Sequence, residues 1–386
     1  MNIRQINKKK LAIGLISGTS FDGIDVALVE FKGKSLTPHF IDGIVYDYPK
    51  PVKEKIRQII SFNKRNNLNP VKEISQLNFL IGELFANAAL KIIRKNNLKS
   101  SDISFISSHG QTIYHHPESE NIAGFKVHST FQIGESSIIA AKTRIKTISN
   151  FRELDITYGG QGAPLVPFLD YVIFNKSKNI KGVLNIGGIS NITIVGKSIK
   201  PIAFDIGPGN ALIDLVVRKH FNLDLDKDGK LAESGKVNFK AINKAIKDPY
   251  FKKPPPKSTG KEYFNNVFLK RYFQHIKNPR DIIATVTYFT SFTIQEALKL
   301  LPSTYKVNEL VISGGGVKNR TIIKYLQAIL PNLKITYTDE YGLPIKYKEA
   351  ILLALLGYTC ILGIPNNIPS CTGAKKKAVL GKITFV

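Results

Sequence analysis

The chain has 386 residues, of which 43% are hydrophobic and 22% are charged, so it can bury a core in two or three domains without disulfides or a structural metal. Its two cysteines have no metal-ligand spacing, and the apolar run at 350–365 is too short and too interrupted to cross a bilayer. The net charge of +26 comes from dispersed lysines and not from a nucleic-acid motif. We therefore expect a cytoplasmic protein with neither a membrane nor a nucleic-acid partner.

The first apolar segment, residues 11–31, predicts two strands joined by a tight turn. The centre of this segment holds small, hydroxylated and acidic residues: Ser17, Gly18, Thr19, Ser20, Asp22, Gly23 and Asp25. Glycines let the backbone approach a polyphosphate, hydroxyls add hydrogen bonds, and a carboxylate can position a metal ion. The turn is a candidate phosphate loop, and an ordinary hairpin turn is the alternative.

The following stretch predicts helices that cover a sheet. Its elements are a strand at 38–48, helices at 52–62 and 71–98, and a strand at 103–107. The segment SSHGQTIYHHP comes next, and we predict a polar loop that presents His109, Gln111 and Thr112 at the end of the strand. Sheets of the α/β class commonly hold their ligands at such ends.

Residues 131–142 predict a helix and residues 147–150 a short strand. Arg152 then precedes the glycine- and proline-rich segment YGGQGAPLVP, whose composition excludes a helix or a central strand. This segment is an ordered loop with a functional role or a crossover between domains.

Residues 181–195 repeat the plan of the opening segment: an apolar strand, a turn containing Gly187 and Gly188, and a β-branched strand. The recurrence comes about half a chain length after the first copy. It predicts a duplicated α/β protein with a cleft between its halves.

Three further patterns carry candidate site residues. Asp205 ends a strand and is followed by Gly-Pro-Gly, which would hold it in one orientation for catalysis or for capping a helix. A strand at 309–313 opens into Gly314, Gly315 and Gly316, where an adenosine could lie against bare backbone, with a helix from about Asn319. Glu349 lies in the first turn of a helix at 346–362, a position that the helix dipole alone would favour.

Together these segments resemble the anhydro-N-acetylmuramic acid kinase family almost end to end. The similarity is carried, in this order, by GLISGTSFDGID, SSHGQTIYHHP, FRELD, GGQGAPLVP, LNIGGISNI, FDIGPGN, PKSTGKEYFN, SGGGVKN, TDEYGLP with Glu349, and CTGA. The resemblance implies the two-domain fold of actin, sugar kinases and the Hsp70 ATPase. It implies that ATP, water and 1,6-anhydro-N-acetylmuramic acid yield N-acetylmuramic acid 6-phosphate and ADP, a step of cell-wall amino-sugar recycling.

The resemblance also assigns roles to the candidate residues. Asp205 would activate the attacking water, with Glu349 as a second catalytic residue. ATP, assisted by Mg²⁺, would be held by Gly18, Thr19, Ser20, Phe21, Asp22, Gly23, Ile24, Asp25, Gly187, Gly188, Gly314, Gly315, Gly316 and Asn319. The sugar would be held by Thr112, Arg152, His109 and Gln111, with Arg152 suited to the lactyl carboxylate. No residue is assigned as a protein metal ligand.

The domain boundaries expected from this reading are 1–145 for an N-terminal domain, joined by a last strand at 378–386, and 146–377 for a C-terminal domain. A homodimer is a family expectation. Two other functions remain open from the sequence. One is an ordinary amino-sugar kinase, in which Asp205 deprotonates a free hydroxyl, and the other is an actin-like ATP-binding scaffold.

Overall fold

The computed structural model describes residues 9–18, 21–61 and 69–386. The chain divides into two compact units, Met1–Val172 with Gly342–Val386, and Ile173–Tyr341. Thr19 and Ser20 of the expected phosphate loop lie outside the described residues. No helix in the described ranges has the length and apolar character that crossing a membrane requires.

The strands, in chain order, are β1 (Lys10–Ser17), β2 (Gly23–Phe31), β3 (His39–Asp47), β4 (Ile103–Ile122), β5 (Phe125–Ile133), β6 (Thr147–Ser149), β7 (Lys181–Ile186), β8 (Ile189–Val195), β9 (Ile202–Pro208), β10 (Glu309–Ser313), β11 (Lys334–Tyr337) and β12 (Lys382–Thr384). The α-helices are α1 (Lys50–Ile60), α2 (Pro70–Lys95), α3 (Ser136–Thr143), α4 (Glu153–Thr157), α5 (Val166–Phe174), α6 (Ala211–Phe221), α7 (Lys230–Glu233), α8 (Phe239–Ala245), α9 (Pro249–Lys252), α10 (Asn266–Phe273), α11 (Pro279–Lys299), α12 (Arg320–Ile329), α13 (Lys348–Ile361) and α14 (Pro369–Thr372).

The two units repeat one sheet topology. In the first, β1 pairs antiparallel with β2 and β2 with β3, while β4 and then β6 add in parallel on the other side of β1. In the second, β7, β8 and β9 form the same antiparallel series, and β10 and then β11 add in parallel on the other side of β7. This repeat confirms the duplicated α/β architecture that the two hairpins predicted.

The first sheet is covered on both faces, which explains why β1 reads as a nearly continuous apolar run. Ile13 and Leu15 pack in a core with Ile81 and Phe85 of α2. On the other face α13 lies directly against β1. The packing is so close that a Cβ at Gly14 would stand 1.8 Å from a backbone carbonyl oxygen of that helix. Only glycine at this position allows such a close approach.

The division of the chain differs from the sequence-based boundaries. Residues 146–172 and 342–377 belong to the first unit, although the sequence reading placed them in the C-terminal domain. The reason is non-local pairing: β6 adds in parallel to β4, and α13 packs on β1. The last strand, β12, pairs antiparallel with β6 in the same sheet.

The predicted polar loop after residue 107 is wrong. β4 continues to Ile122 and pairs with β5, so His109, Gln111 and Thr112 lie within a strand. The predicted helix at 131–142 is wrong in its first part, since β5 runs to Ile133 and α3 begins at Ser136. The hairpin turns at Ala123 and Gly124, both with positive φ, which is the backbone of a type I′ turn.

Candidate functional site

The first group of candidate residues lies at the carboxyl end of β1, beside β4. Ser17 pairs in register with Gln111, and its Oγ donates a hydrogen bond of 2.6 Å to Gln111 Oε1. Gln111 Nε2 in turn donates to the carbonyl oxygens of Gly18 (3.4 Å) and Thr112 (3.2 Å). Gln111 has no exposed surface. This amide therefore ties the end of the first hairpin strand to β4.

Arg152, just after β6, is held by two acceptors. Its Nε donates to His109 Nε2 at 3.0 Å, and Nη1 donates to the carbonyl oxygen of Gly162 at 2.7 Å. Burial lowers the pKa of Arg152 to about 10, against the opposing charges of Glu349 and Glu153, so the guanidinium is charged at neutral pH. Among the described residues no acceptor hydrogen-bonds to Nη2. This nitrogen of the guanidinium is therefore available to bind an anion.

The loop that supplies the Gly162 carbonyl is braced by Asp155. This buried carboxylate accepts hydrogen bonds from the Gly162 N–H (2.9 Å) and from Thr372 Oγ1 (2.8 Å). The segments FRELD, GGQGAPLVP and CTGA thus meet at one acidic side chain. Sequence reasoning did not single out Asp155 for this role, because its partner Thr372 lies more than two hundred residues further along the chain.

Two carboxylates of the first unit come close enough to influence each other. Burial and the nearby charge of Glu349 raise the pKa of Asp25 to about 6, while Lys346 acts in the opposite direction. Desolvation likewise raises the pKa of Glu349, and Arg152 and Lys348 oppose it. Glu349 nevertheless keeps solvent-exposed surface.

The start of α13, which carries Glu349, is anchored by an ion pair that the sequence did not reveal. Lys348 Nζ lies 2.7 Å from Asp170 Oδ1, and both side chains are almost fully buried. Removing one partner of a buried ion pair lowers the stability of a protein by several kcal/mol, because the other charge stays buried without a partner. The pair therefore fixes where the first turn of α13 presents its acidic side chain.

In the second unit, two glycine segments lie side by side at the carboxyl ends of the parallel strands β7 and β10. A Cβ at Gly316 would stand 2.3 Å from a side-chain carbon of Ile186, the last residue of β7. The Gly187 carbonyl accepts the Asn210 N–H at 2.8 Å, and the Gly188 carbonyl accepts the Ala211 N–H at 3.0 Å. The second hairpin turn thereby caps the N-terminus of α6.

Asp205, within β9, is held on its backbone and on one carboxylate oxygen. Its N–H donates to the Lys257 carbonyl at 2.9 Å, and its own carbonyl accepts the Tyr250 hydroxyl at 2.7 Å. Oδ2 accepts the Thr259 N–H at 3.0 Å, and among the described residues Oδ1 has no donor. Burial raises the pKa of Asp205, helped by Glu262 and opposed by the Thr259 hydrogen bond. One oxygen of a fixed carboxylate is thus available to take a proton.

Two residues expected at the ATP site have other evident contacts. Asn319 caps α12, its Oδ1 accepting the N–H groups of Thr321 and Ile322 at 3.1 Å each. Ile24 buries its side chain in the core of the first unit, so only its backbone could contact a nucleotide. Asp22 is exposed.

Within the described ranges no three His, Cys, Asp or Glu residues form a group that could hold a metal ion.

Comparison with known proteins decides the family. The family model described as anhydro-N-acetylmuramic acid kinase matches residues 10–386. The chain belongs to the anhydro-N-acetylmuramic acid kinase family. It is 42% identical to the anhydro-N-acetylmuramic acid kinase of Caldanaerobacter subterraneus subsp. tengcongensis, covering 99% of both chains. It is 41% identical to that of Clostridioides difficile, covering 97% of this chain and 98% of the relative.

Membership of the anhydro-N-acetylmuramic acid kinase family confirms the resemblance seen in the sequence. A solved structure, component A of the (R)-2-hydroxyglutaryl-CoA dehydratase of Acidaminococcus fermentans, is similar over 90% of this chain with a TM-score of 0.44 and 13% identity. Of the residues that the family resemblance assigned, the first unit holds Gly18, the Phe21–Asp25 segment, Thr112, His109, Gln111, Arg152 and Glu349, and the second unit holds Gly187, Gly188, Asp205, Asn319 and the triple glycine at 314–316.

Proposed function

We propose that this chain is an ATP-dependent kinase that opens 1,6-anhydro-N-acetylmuramic acid with water and phosphorylates O6, giving N-acetylmuramic acid 6-phosphate and ADP in cell-wall amino-sugar recycling. Family membership over nearly the whole chain supports the substrate class. The observation that carries the mechanism is Asp205, whose carboxylate is held by the Thr259 N–H on one oxygen and offers the other.

In this mechanism Asp205 Oδ1 takes a proton from a water molecule as the water oxygen attacks C1 of the sugar. The C1–O6 bond breaks, and O6 becomes the nucleophile toward the γ-phosphorus of ATP. The bond from that phosphorus to the bridging oxygen breaks and ADP leaves. A carboxylate also favours the positive charge that develops at an anomeric carbon. The raised pKa of Asp205 makes it a stronger base than an ordinary aspartate.

The first unit supplies groups that suit the rest of the sugar. Arg152 is charged, is fixed by His109 and Gly162, and leaves Nη2 for the lactyl carboxylate. Thr112 lies on the same strand as His109 and is half-buried. Glu349 lies close enough to Arg152 for their charges to interact, and we assign it to the sugar side.

The family resemblance assigns ATP contacts to each of the two hairpin turns and to the triple glycine. The first turn contributes Gly18 and Asp25, and the second contributes Gly187 and Gly188. Oxygen ligands fit Mg²⁺, which kinases hold with one or two carboxylates and the phosphates of the substrate, so Asp25 would hold it directly or through water. When bound, the cation neutralises charge that spreads over the phosphoryl oxygens. With a pKa of about 6, Asp25 is mainly ionised at neutral pH.

Incubation of the purified chain with ATP and 1,6-anhydro-N-acetylmuramic acid in ¹⁸O-labelled water tests this proposal. Mass spectrometry should find N-acetylmuramic acid 6-phosphate with one ¹⁸O, located at C1 when the product is analysed before its anomeric oxygen exchanges. Label missing from C1 would contradict water attack. Preference for open N-acetylmuramic acid would indicate an ordinary amino-sugar kinase, and ATP binding without sugar-dependent ADP release would indicate an actin-like scaffold.

The proposal includes a cellular location and an oligomeric state. A cytoplasmic location suits an enzyme that consumes ATP and whose two cysteines, Cys360 and Cys371, are thiols rather than a disulfide. A homodimer is expected from the family. Cell fractionation checks the first point, and light scattering of the purified chain checks the second.

A further inference from the structure

We propose that His109 and Gln111 contact neither the sugar nor ATP, and that both are positioning residues on one strand. His109 would hold Arg152 in the orientation that binds the lactyl carboxylate. Gln111 would hold the Ser17–Gly18 end of the first hairpin in the shape that receives phosphate. This inference rests on the proposed function and changes the role that the family resemblance gave to both residues.

The hydrogen-bonding capacity of His109 is fully used. Its Nδ1 lies 3.2 Å from the Gly110 carbonyl oxygen, which can only accept, so Nδ1 carries the proton. Its Nε2 accepts the Nε–H of Arg152 at 3.0 Å. Only 7% of the residue is exposed. Neither ring nitrogen is left to contact a sugar hydroxyl.

Holding Arg152 from this side has a geometric effect. A guanidinium is planar, so two fixed donors, Nε to His109 and Nη1 to Gly162, define the plane in which Nη2 lies. Contact with a carboxylate gains from such prior orientation, because less side-chain freedom is lost on binding. Burial and the neighbouring Arg152 charge also lower the pKa of His109 to about 3, so its Nε2 stays an acceptor at neutral pH.

The hydrogen-bonding groups of Gln111 are also in use, and two of its three partners lie at the end of β1. Its Oε1 accepts from Ser17, and its Nε2 donates to the carbonyls of Gly18 and Thr112. The side chain is fully buried, so its amide has no surface for a ligand. The Gly18 carbonyl is the part of the expected phosphate loop that this amide orients.

Because the two residues act on different neighbours, their substitutions should have different kinetic signatures. His109→Leu removes the acceptor of Arg152 and should raise KM for 1,6-anhydro-N-acetylmuramic acid about tenfold or more, with KM for ATP changed less than about twofold. Gln111→Leu should raise KM for ATP by a similar factor and raise KM for the sugar less, since its amide contacts only the backbone of Thr112 on that side. Each variant is the matched control for the other.

A neutral substrate isolates the carboxylate contact. 1,6-Anhydro-N-acetylglucosamine lacks the lactyl group, so His109→Leu should leave its KM within about twofold of the unmodified chain. His109→Gln, which restores an acceptor, should recover most of the affinity for the acidic sugar. If His109 contacted the sugar ring directly, KM would rise equally for both sugars, and the proposal would be overturned.

A double-substitution cycle tests whether His109 acts only through Arg152. In an Arg152→Met background, His109→Leu should add less than about twofold to KM for the acidic sugar, since a residue that acts only through Arg152 has nothing further to lose. Additive effects would refute the inference. Thermal unfolding is followed for every variant, and His109→Asn, too short to reach Arg152, replaces His109→Leu if that chain fails to fold. A wild-type chain that does not convert either sugar would instead refute the proposed function.

Discussion

Replacing Asp205 by asparagine separates the chemistry of this carboxylate from its structural role. Asparagine has the same shape, and its carbonyl oxygen can accept the Thr259 N–H that Oδ2 accepts now, at 3.0 Å. The amide nitrogen then takes the place of Oδ1. The backbone contacts of Asp205 with Tyr250 and Lys257 do not involve the side chain and should persist. The substitution therefore removes a proton acceptor and a negative charge, and it leaves the backbone contacts in place.

The size of the effect follows from the role. General base catalysis contributes about 10²- to 10⁴-fold, which is about 2.7 to 5.5 kcal/mol of the activation free energy. The substitution also removes the negative charge that the proposed mechanism requires near the anomeric carbon, so we expect kcat to fall by about 10³- to 10⁴-fold, at the upper end of that range. KM for ATP should change less than about threefold, because the proposed ATP contacts are made by other residues.

Asp226 of the same unit provides the matched control. It is a buried aspartate whose pKa is also raised by burial, but its two oxygens accept the N–H groups of Leu231 (2.9 Å) and Ala232 (3.0 Å). Asp226→Asn should lower the unfolding temperature and keep kcat within about threefold in the folded protein. ADP release and product mass are measured for both variants. An Asp205→Asn chain that keeps more than a tenth of its turnover would refute the base assignment.

Substitutions at Tyr250, Gly14 and Asp25 each test a single feature of the structure. Tyr250→Phe removes the hydroxyl that donates to the carbonyl oxygen of Asp205. If Asp205 is the proposed base, kcat should fall by about 3- to 10-fold, in line with the loss of one neutral hydrogen bond, and KM for ATP should not change in steady-state assays. Gly14→Ala should cost about 1 to 3 kcal/mol of unfolding free energy, because its Cβ would stand 1.8 Å from a carbonyl oxygen of α13. A Cβ at Gly18 would meet no non-neighbouring atom of the described residues within 4 Å, so Gly18→Ala should keep the denaturation midpoint and raise KM for ATP. The pKa of Asp25 is raised to about 6, so the carboxylate loses its charge as the pH falls through 6. KM for ATP should therefore rise below pH 6. Asp25→Asn should have a high KM for ATP that does not change with pH in this range.

The sequence predicted the parts of the fold that short-range patterns determine. Both hairpins were recognised because apolar runs flank a turn of small residues, and their repetition predicted the shared topology. The β4–β5 hairpin was missed for a local reason: its turn is Ala123–Gly124, and alanine at a position of positive φ is not the Asn or Asp that marks such turns. Polar residues along β4 then resembled a loop.

The domain division and the contacts of the candidate site depend on long-range pairing, which a single sequence does not contain. His109 and Arg152 were both selected from their motifs, yet nothing in those motifs indicates that one donates to the other. Selecting the correct residue types therefore did not establish their roles. A histidine with both nitrogens satisfied and a histidine that contacts a ligand look the same in a sequence.

The surroundings of the two expected catalytic carboxylates favour different tasks for them. Burial raises the pKa of both Asp205 and Glu349, but the cations Arg152 and Lys348 oppose the rise at Glu349. At Asp205 the neighbouring charge is that of Glu262, which raises the pKa further, and only the Thr259 hydrogen bond opposes it. A carboxylate stabilised by cations is a weaker base and a better fixed negative charge. Asp205 is therefore the residue suited to take the proton from water, and Glu349 is suited to orient the sugar beside Arg152.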